Sequence, residues 1–162
     1  MYSNKAIFFD RDGIIIHEDG EYTYTDEKFV ILPQVGEFMA EMKKRGYLFF
    51  IITNQGGVGK GLYPKERVVE LHKRLDDYLK KYDVQIEQHL ICPHHPSTSK
   101  CICRKPDSLL LERSIYLYDI DVKASYLIGD RERDMEAAKK VGINPVFLTA
   151  NSSLFSIIGE LK

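Results

Sequence analysis

Cysteine is scarce in this 162-residue sequence: there are only three, and all lie in one short segment. An odd number in one segment argues against a disulfide framework. A surplus of charge is also lacking, because 23 basic residues against 24 acidic ones leave a net charge of −1. General nucleic-acid binders are usually more basic, so we do not expect nucleic acid as a partner.

Long hydrophobic runs are missing as well. The longest apolar stretches, such as 47–53, are about as long as one strand, and the first five residues lead into a strand without the apolar region of a signal peptide. We therefore expect a cytoplasmic protein with no membrane partner. At roughly 150 residues per domain, the length predicts a single domain over 1–162. Hydrophobic residues make up 44% of the chain, enough for one substantial core.

Predicted strands and helices alternate along the chain. The strands are expected at 5–10, 47–53, 85–92, 125–129 and 145–148; the helices at 35–45, 64–82, 108–118 and 131–141. This alternation predicts an α/β fold, with a doubly wound, mostly parallel sheet and helices on both faces. Segments 13–32 and 92–106 do not fit it, and each follows the carboxyl end of a strand, where such sheets place their sites. Residues 152–162 are expected to pack on the sheet as a short helix.

Acidic residues follow the first strand directly, as Asp10 and Asp12 in the run Asp-Arg-Asp-Gly. Taken alone, this run is equally typical of a turn. The second strand ends in Thr53 and Asn54 before a glycine-rich segment whose amide groups could bind an anion. That segment is not a P-loop, because Asn54 replaces the first required glycine and Gly61 replaces the Ser or Thr after the lysine.

Further charged residues lie beyond the third and fourth strands. Arg104 and Lys105 supply positive charge before a helix, and Asp130 follows the fourth strand, with Asp134 four residues later. Asp134 by itself is expected to be an exposed acid in the first turn of a helix.

Together, the strand ends predict a phosphate site with a hard divalent cation. The expected oxygen ligands are Asp10, Asp12 and Asp130, and the groups expected to face phosphate are Thr53, Asn54 and Lys105. A carboxylate nucleophile beside Mg²⁺ and a lysine is what phosphoryl transfer through an aspartyl-phosphate needs, since charge on the transferring oxygens must be neutralised.

These segments, in this order, resemble the four motifs of the haloacid dehalogenase-like (HAD) phosphatases, over most of the chain. The resemblance implies that Asp10 is the nucleophile and that Asp12 protonates the leaving oxygen and then activates water. It implies that Thr53 and Lys105 hold the phosphoryl group, and that Mg²⁺ binds Asp10, the Asp12 carbonyl and Asp130. The family usually has Thr after the first Asp-Gly, where this chain has Ile14. We expect altered acid–base positioning or rate from that difference, without loss of the nucleophile.

A second metal site is predicted in the segment 92–106. Its four candidate ligands are Cys92, His94, Cys101 and Cys103. Three thiolates and one imidazole suit a closed, structural tetrahedral Zn²⁺ site, whereas unliganded thiols are the alternative. His95 could replace His94, although the alternate spacing favours His94. The other histidines, His17, His72 and His89, are expected to be surface or packing residues.

The zinc loop and the adjacent motifs resemble a narrower subgroup, the D-glycero-D-manno-heptose 1,7-bisphosphate phosphatases and the histidinol-phosphate phosphatases. The resemblance implies that no large cap domain is present and that the zinc loop aims Arg104 at the substrate beyond the reacting phosphate. Two features favour the heptose bisphosphate: the chain is expected to form a single domain, and Arg104 could contact a second phosphate. The short loop between His94 and Cys101 and the sequence Gly129-Asp130-Arg131 favour histidinol phosphate. We give slight preference to the heptose bisphosphate and expect a monomer.

The sequence gives less support to three other functions. A receiver-like phosphoacceptor module needs an acidic acceptor after its third strand, where this chain has Ile91-Cys92-Pro93. A zinc-dependent nucleic-acid module is disfavoured by the balanced charge and by the lack of stacking aromatic residues in the loop. A polynucleotide 3′-phosphatase shares the phosphatase motifs but needs a basic groove.

Overall fold

The computed structural model describes residues 2–162 as a five-stranded parallel sheet with the strand order β3-β2-β1-β4-β5. The strands are β1 (Lys5–Phe9), β2 (Tyr47–Asn54), β3 (Gln88–Cys92), β4 (Tyr126–Gly129) and β5 (Asn144–Phe147). The α-helices are α1 (Val35–Lys44), α2 (Gly56–Gly59), α3 (Lys65–Leu79), α4 (Leu109–Leu117) and α5 (Glu132–Val141). Short 3₁₀ helices cover Lys80–Tyr82, Val122–Ala124 and Leu154–Glu160.

The central strand β1 shows why the sheet is covered on both sides. Its residues alternate between two apolar clusters: Ile7 and Phe9 belong to one, Ala6 and Phe8 to the other. Successive side chains of a strand point to opposite faces, so a strand buried on both faces is apolar throughout. The predicted α/β fold, with a parallel sheet between two layers of helices, is confirmed.

The helices cover the two faces with their apolar sides. Helices α1 and α3 and the C-terminal 3₁₀ helix contribute to the first cluster, and α4 and α5 contribute to the second. At the end of α1, Gly46 adopts a φ of 86°, a left-handed conformation that glycine takes without steric cost. The expected C-terminal helix forms over Leu154–Glu160, and its Leu154 and Ile157 are buried.

The structure differs from the sequence-based prediction at the start of β3 and after β2, besides small shifts at the ends of other elements. β3 begins at Gln88 instead of residue 85, because Val84 and Ile86 are buried in the core without pairing to β2. The glycine-rich segment after β2 forms the single helical turn α2, which the sequence did not predict. Among residues 2–162, no helix combines the length and the apolar character needed to cross a membrane.

The strand order places a topological switch point beside β1. The chain passes from β1 to β2 on one side, whereas β4 pairs with β1 on the other side. In open α/β sheets, sites form in the crevice outside the carboxyl ends of the strands at this point. Asp10 lies there, at the end of β1, and its amide donates to the carbonyl of Ile128 in β4 at 2.9 Å.

Candidate active site

The side chain of Lys105 lies at the centre of the carboxyl end of the sheet. It is almost fully buried, and its ammonium group lies 2.8 Å from Asp10 Oδ1 and 2.6 Å from Asp134 Oδ1. It also donates to the carbonyl of Ile52 in β2 at 2.9 Å. Burial alone would disfavour the charge, but the carboxylates of Asp10 and Asp134 raise the pKa of Lys105 above its ordinary value. Lys105 is therefore a fixed positive charge beside Asp10.

The expectation that Asp134 is an exposed helix acid is wrong. Its side chain is completely buried, and its Oδ2 accepts a hydrogen bond from the amide of Arg131 at 3.1 Å, which caps α5. The residue packs closely against Gly129, where an added Cβ would lie 2.4 Å from that of Asp134. Burial raises the pKa of Asp134 despite the nearby Lys105. Sequence spacing places Asp134 in the first turn, but only the packing of α5 against β4 turns it inward.

Three carboxylates at this edge form a group that fits a divalent cation. Asp10, Asp130 and Asp134 each offer an oxygen, and these oxygens lie within 4.8 Å of one another. Asp130 Oδ1 is buried and has no hydrogen-bond partner among residues 2–162. Burial, followed by repulsion from Asp10, raises the pKa of Asp130 to about 7. Three acids face one ammonium group here, so a cation would relieve their repulsion.

The Asp12 side chain lies apart from those three carboxylates. Its two oxygens accept hydrogen bonds from Arg11 Nε and Nη2 at 2.9 to 3.0 Å, and Oδ2 also accepts one from Gln55 Nε2 at 3.2 Å. The Asp12 side chain is about a quarter exposed and lines the cavity above Asp10. Its carboxylate can therefore reach a substrate, whereas the metal-ligand role expected for Asp12 would fall to its main-chain carbonyl.

Thr53 and Asn54, both expected to contact phosphate, have internal partners in this structure. The Thr53 hydroxyl is buried and accepts a hydrogen bond from Gln55 Nε2 at 2.8 Å. Asn54 exchanges two hydrogen bonds of 3.0 Å with the backbone of Lys105, although it also lines the cavity. Thr53 and Lys105 are buried and do not line this cavity.

A polar cavity of about 350 Å³ opens above these groups, a volume that suits a small metabolite. Its floor includes Asp10, Asp12 and Asp130. Its rim carries three arginines, Arg104, Arg131 and Arg133, and two acids of the segment 13–32, Glu18 and Glu21. Arg131 pairs with Glu18 at 2.8 Å and so ties α5 to that segment. Neither Arg104 nor Arg133 has a carboxylate within 4.0 Å in the described part of the chain.

The four expected zinc ligands form one compact cluster. Cys103 Sγ lies 3.2 Å from Cys92 Sγ and 3.3 Å from His94 Nδ1, and Cys92 Sγ lies 3.8 Å from Cys101 Sγ. Ligands around a tetrahedral Zn²⁺ are about 3.5 to 3.8 Å apart, given bond lengths near 2.0 to 2.3 Å. All three cysteines are free of disulfide bonds. The cluster thus brings three thiols and one imidazole together where they could hold a metal ion.

The remaining histidines lie outside the thiol cluster. His95 Nδ1 is hydrogen-bonded to the hydroxyl of Ser97 at 2.7 Å, so His94 and not His95 joins the cysteines. His72 in α3 and His89 in β3 pack against each other with their ring centroids 4.6 Å apart and their planes tilted by 31°, in agreement with a packing role. The cluster also supports Arg104, whose Nη1 donates to the carbonyl of His94 at 3.2 Å.

Arg11 and Gln55 are site residues that sequence reasoning missed. Arg11 is completely buried, and besides Asp12 it contacts the carbonyl of Thr23 at 3.0 Å. Gln55 is held by the hydroxyl of Tyr63, which donates to its Oε1 at 2.8 Å. For Arg11, the available sequence signal was its position between Asp10 and Asp12. That position does not indicate whether the side chain points into the protein.

The fold and this site together define an enzyme of the phosphoryl-transferring HAD type. A family model described as HAD-hydrolase-like matches residues 102–153. The D,D-heptose 1,7-bisphosphate phosphatase from B. bronchiseptica, solved with magnesium and phosphate, is similar with a TM-score of 0.82. That comparison has 26% identity and covers 88% of this chain and 79% of the other.

Curated relatives narrow the family further. D-glycero-beta-D-manno-heptose-1,7-bisphosphate 7-phosphatases from Haemophilus ducreyi and Escherichia coli are 30% and 38% identical to this chain. The comparisons cover 98% and 84% of this chain and 90% and 74% of the relatives. The histidine biosynthesis bifunctional protein HisB of Blochmanniella floridana is 34% identical over 89% of this chain, which spans only 41% of that relative. The chain belongs to the HAD-superfamily phosphatases, in the family of the heptose bisphosphate and histidinol-phosphate phosphatases.

Proposed function

We propose that this protein is a Mg²⁺-dependent phosphatase that acts through an aspartyl-phosphate on Asp10 and removes the 7-phosphate of D-glycero-D-manno-heptose 1,7-bisphosphate. The observation that carries the proposal is the arrangement of Asp10 beneath the cavity. One of its oxygens is paired to the buried Lys105, and Asp130, whose Oδ1 has no hydrogen-bond partner among residues 2–162, lies nearby. The relatives named above act on this heptose bisphosphate, which supports the choice of substrate.

The first half of the reaction transfers the phosphoryl group to Asp10. Lys105 binds Asp10 Oδ1, which leaves Oδ2 to attack phosphorus. The bond between phosphorus and the sugar oxygen breaks, and that oxygen takes a proton from Asp12. The sugar leaves as an alcohol, and an aspartyl-phosphate remains. In the resting protein the carboxylates of Asp10 and Asp134 hold Lys105 in its charged form, and Asp134 remains as its carboxylate partner after Asp10 is phosphorylated.

The second half releases the phosphate. Asp12, now a carboxylate, takes a proton from a water molecule, whose oxygen attacks phosphorus as the bond to Asp10 breaks. Inorganic phosphate leaves, and both aspartates return to their starting states. The carboxylates of Asp10 and Asp130 would hold Mg²⁺, which supplies positive charge against the phosphoryl oxygens. Asp134 holds Lys105 and caps α5, so we give it a supporting role.

The rim of the cavity supports a substrate with a second anionic group. Arg104 and Arg133 have no carboxylate partner in the part of the chain that the structure describes, and both line the cavity. A guanidinium group recognises phosphate through paired hydrogen bonds. The amine of histidinol phosphate would find no attractive partner in Arg104 or Arg133, so the position of these two arginines favours a bisphosphate.

We infer that the cluster of Cys92, His94, Cys101 and Cys103 binds Zn²⁺ in a structural role. With four protein ligands, no coordination position is left open for water or substrate. Bound zinc would hold the loop that presents Arg104, since the carbonyl of His94 accepts from that arginine.

Phosphate release by the purified protein tests the proposal. Heptose 1,7-bisphosphate, histidinol phosphate and a short DNA 3′-phosphate are compared in parallel, each with Mg²⁺ and with EDTA. We expect kcat/KM for the heptose bisphosphate to exceed the others by about 100-fold, which corresponds to about 2.7 kcal/mol of transition-state stabilisation. Asp10→Asn should abolish turnover with the fold retained by circular dichroism. Substantial activity in this variant would remove Asp10 from the nucleophile role, and equal rates on all substrates would leave the substrate unassigned.

A further inference from the structure

Arg11 has an unusual environment for an arginine at the edge of a phosphate site. Its side chain is completely buried and points toward Asp12 and the segment 13–32. A buried guanidinium group is costly unless its donors are satisfied. Three donor contacts go to Asp12, one goes to the carbonyl of Thr23, and Nη1 lies 3.5 Å from His72 Nε2.

His72 lies against the guanidinium group of Arg11 and is neutral. Burial, followed by the charge of Arg11 itself, holds the pKa of His72 well below its usual range. A neutral imidazole can accept a hydrogen bond from Arg11 without competing with Asp12 for its charge. The ring of Phe29 lies 5.6 Å from the guanidinium carbon on another side. Arg11 is thus held in place by groups that leave Asp12 as its only carboxylate partner in the described chain.

Gln55 approaches the same carboxylate from the end of β2. Its amide nitrogen donates both to Asp12 Oδ2 and to the Thr53 hydroxyl, and Tyr63 orients the amide through Oε1. Tyr63 is itself stacked on Tyr24 at 4.6 Å. Asp12 Oδ1 therefore accepts from Arg11 and Oδ2 accepts from both Arg11 and Gln55, so the carboxylate is held from the loops that follow β1 and β2.

We infer that Arg11, with Gln55, is a positioning residue that holds Asp12 at the cavity wall for its proton transfers; this rests on the phosphatase function proposed above. The position after Gly13 offers no hydroxyl for that purpose, because the Ile14 side chain is buried in the apolar core. A buried ion pair contributes little net stability compared with apolar residues of similar size. Because the Arg11–Asp12 ion pair lies beside the cavity, we assign it the role of orienting Asp12, which must transfer protons.

The leaving-group dependence of kcat/KM distinguishes this role from a structural one. The parameter kcat/KM covers the steps up to loss of the leaving group, and it is measured with Mg²⁺ for para-nitrophenyl, phenyl and benzyl phosphate. Para-nitrophenolate leaves without a proton, whereas the benzyl alkoxide needs one from Asp12. In Arg11→Met we expect a loss of about 100-fold for benzyl phosphate and less than about 5-fold for para-nitrophenyl phosphate. Arg113→Met, an exposed arginine outside the site, serves as the matched control and should change neither value.

Milder variants cover the case in which Arg11→Met does not fold. Arg11→Lys keeps the charge but cannot make the paired contacts, and Tyr63→Phe frees the amide of Gln55. Both should show the same selective loss for benzyl phosphate, of about 3- to 10-fold, in proteins with native circular dichroism. An equal loss on all three esters in every folded variant would overturn the inference and leave Arg11 a structural residue. If the unaltered protein hydrolyses none of the esters or the sugar phosphates, the proposed function itself fails, which is a separate outcome.

Discussion

The side chain of Asn54 and the backbone of Lys105 form two reciprocal hydrogen bonds. Asn54 Nδ2 donates to the carbonyl of Lys105, and the amide of Lys105 donates to Asn54 Oδ1, both at 3.0 Å. The end of β2 is thereby joined to the loop that follows the cysteine cluster. Lys105 lies outside every helix and strand, so this connection positions its backbone for the reach of the side chain to Asp10.

Replacing Asn54 with Leu should therefore impair both stability and turnover. The change removes two hydrogen bonds and leaves two backbone groups of Lys105 unpaired, so we expect a loss of about 2 kcal/mol in the free energy of unfolding in urea. We also expect kcat to fall at least about 10-fold, as Lys105 shifts from Asp10. Asn144→Leu is the matched control: its side chain also makes two hydrogen bonds to backbone carbonyls, but away from the site. Equal effects of the two variants on kcat would contradict the role of Asn54.

Cys101→Ser should remove the metal from the cysteine cluster. We expect one zinc ion per chain in the unaltered protein by elemental analysis, and none in this variant. Structural zinc contributes directly to folding, so the free energy of unfolding should fall by on the order of 3 kcal/mol. Ser99→Ala, in the same loop, should retain its zinc. Absence of zinc from the unaltered protein would sink the assignment of the ion, although not of the phosphatase site.

Arg104→Ala should discriminate between substrates. We expect kcat/KM to fall about 100-fold for heptose 1,7-bisphosphate and less than about 3-fold for para-nitrophenyl phosphate, because only the former carries a group that reaches the rim. Zinc content is measured in parallel, since Arg104 also contacts the carbonyl of His94. Arg113→Ala is the control. If both substrates lose activity equally while zinc is retained, Arg104 has no part in recognition.

The raised pKa of Asp130 predicts a pH dependence of stability in the metal-free protein. Burial raises this pKa from its ordinary value of 3.8 to about 7, so the folded protein binds a proton here that the unfolded chain has already released. The contribution of Asp130 to the free energy of unfolding is fully present below pH 3.8 and is lost as the pH rises through about 7. Asp130→Asn should remove this decline, as measured by urea unfolding with EDTA present. Parallel pH profiles for the two proteins would contradict the shift.

Mg²⁺ provides the complementary measurement on the same pair of proteins. Above neutral pH, where Asp130 is ionised, added Mg²⁺ should raise the melting temperature of the unaltered protein. In Asp130→Asn the increase should be largely lost, because one carboxylate ligand is missing. An equal increase in both proteins would place the cation elsewhere.

Ile14→Thr tests whether the missing hydroxyl matters. The Ile14 side chain is fully buried in the apolar core, so the variant loses packing and buries a hydroxyl, at a cost of about 2 kcal/mol in unfolding free energy. Since Arg11 and Gln55 already hold Asp12, kcat should change by less than about 3-fold. A large gain in kcat would show that Asp12 is poorly held in the unaltered protein.

Much of the fold could be predicted from local patterns. The apolar runs of the strands and the glycine after α1 are local signals, because a buried strand needs apolar residues and a helix end favours glycine. The structure confirms the parallel sheet between two layers of helices that these signals predict. The start of β3 could not be predicted, because it depends on pairing to β2. The turn α2 could not be predicted either, because it depends on contacts with a distant loop. For example, an added Cβ at Gly56 would lie 2.8 Å from the ring of His95, a neighbour that no local pattern indicates.

By itself, the sequence determined the residue types and the order of the site: acids after β1 and β4, a hydroxyl at the end of β2, and four candidate metal ligands within twelve positions. These follow from the chemistry of side chains and from the rule that parallel strands end at one edge. Only the tertiary structure decided which groups pair. It buries Asp134 against Lys105, turns Arg11 toward Asp12, and uses Asn54 to hold a loop. The physical reason is that burial forces each polar group to find a partner, and the partners are distant in the chain.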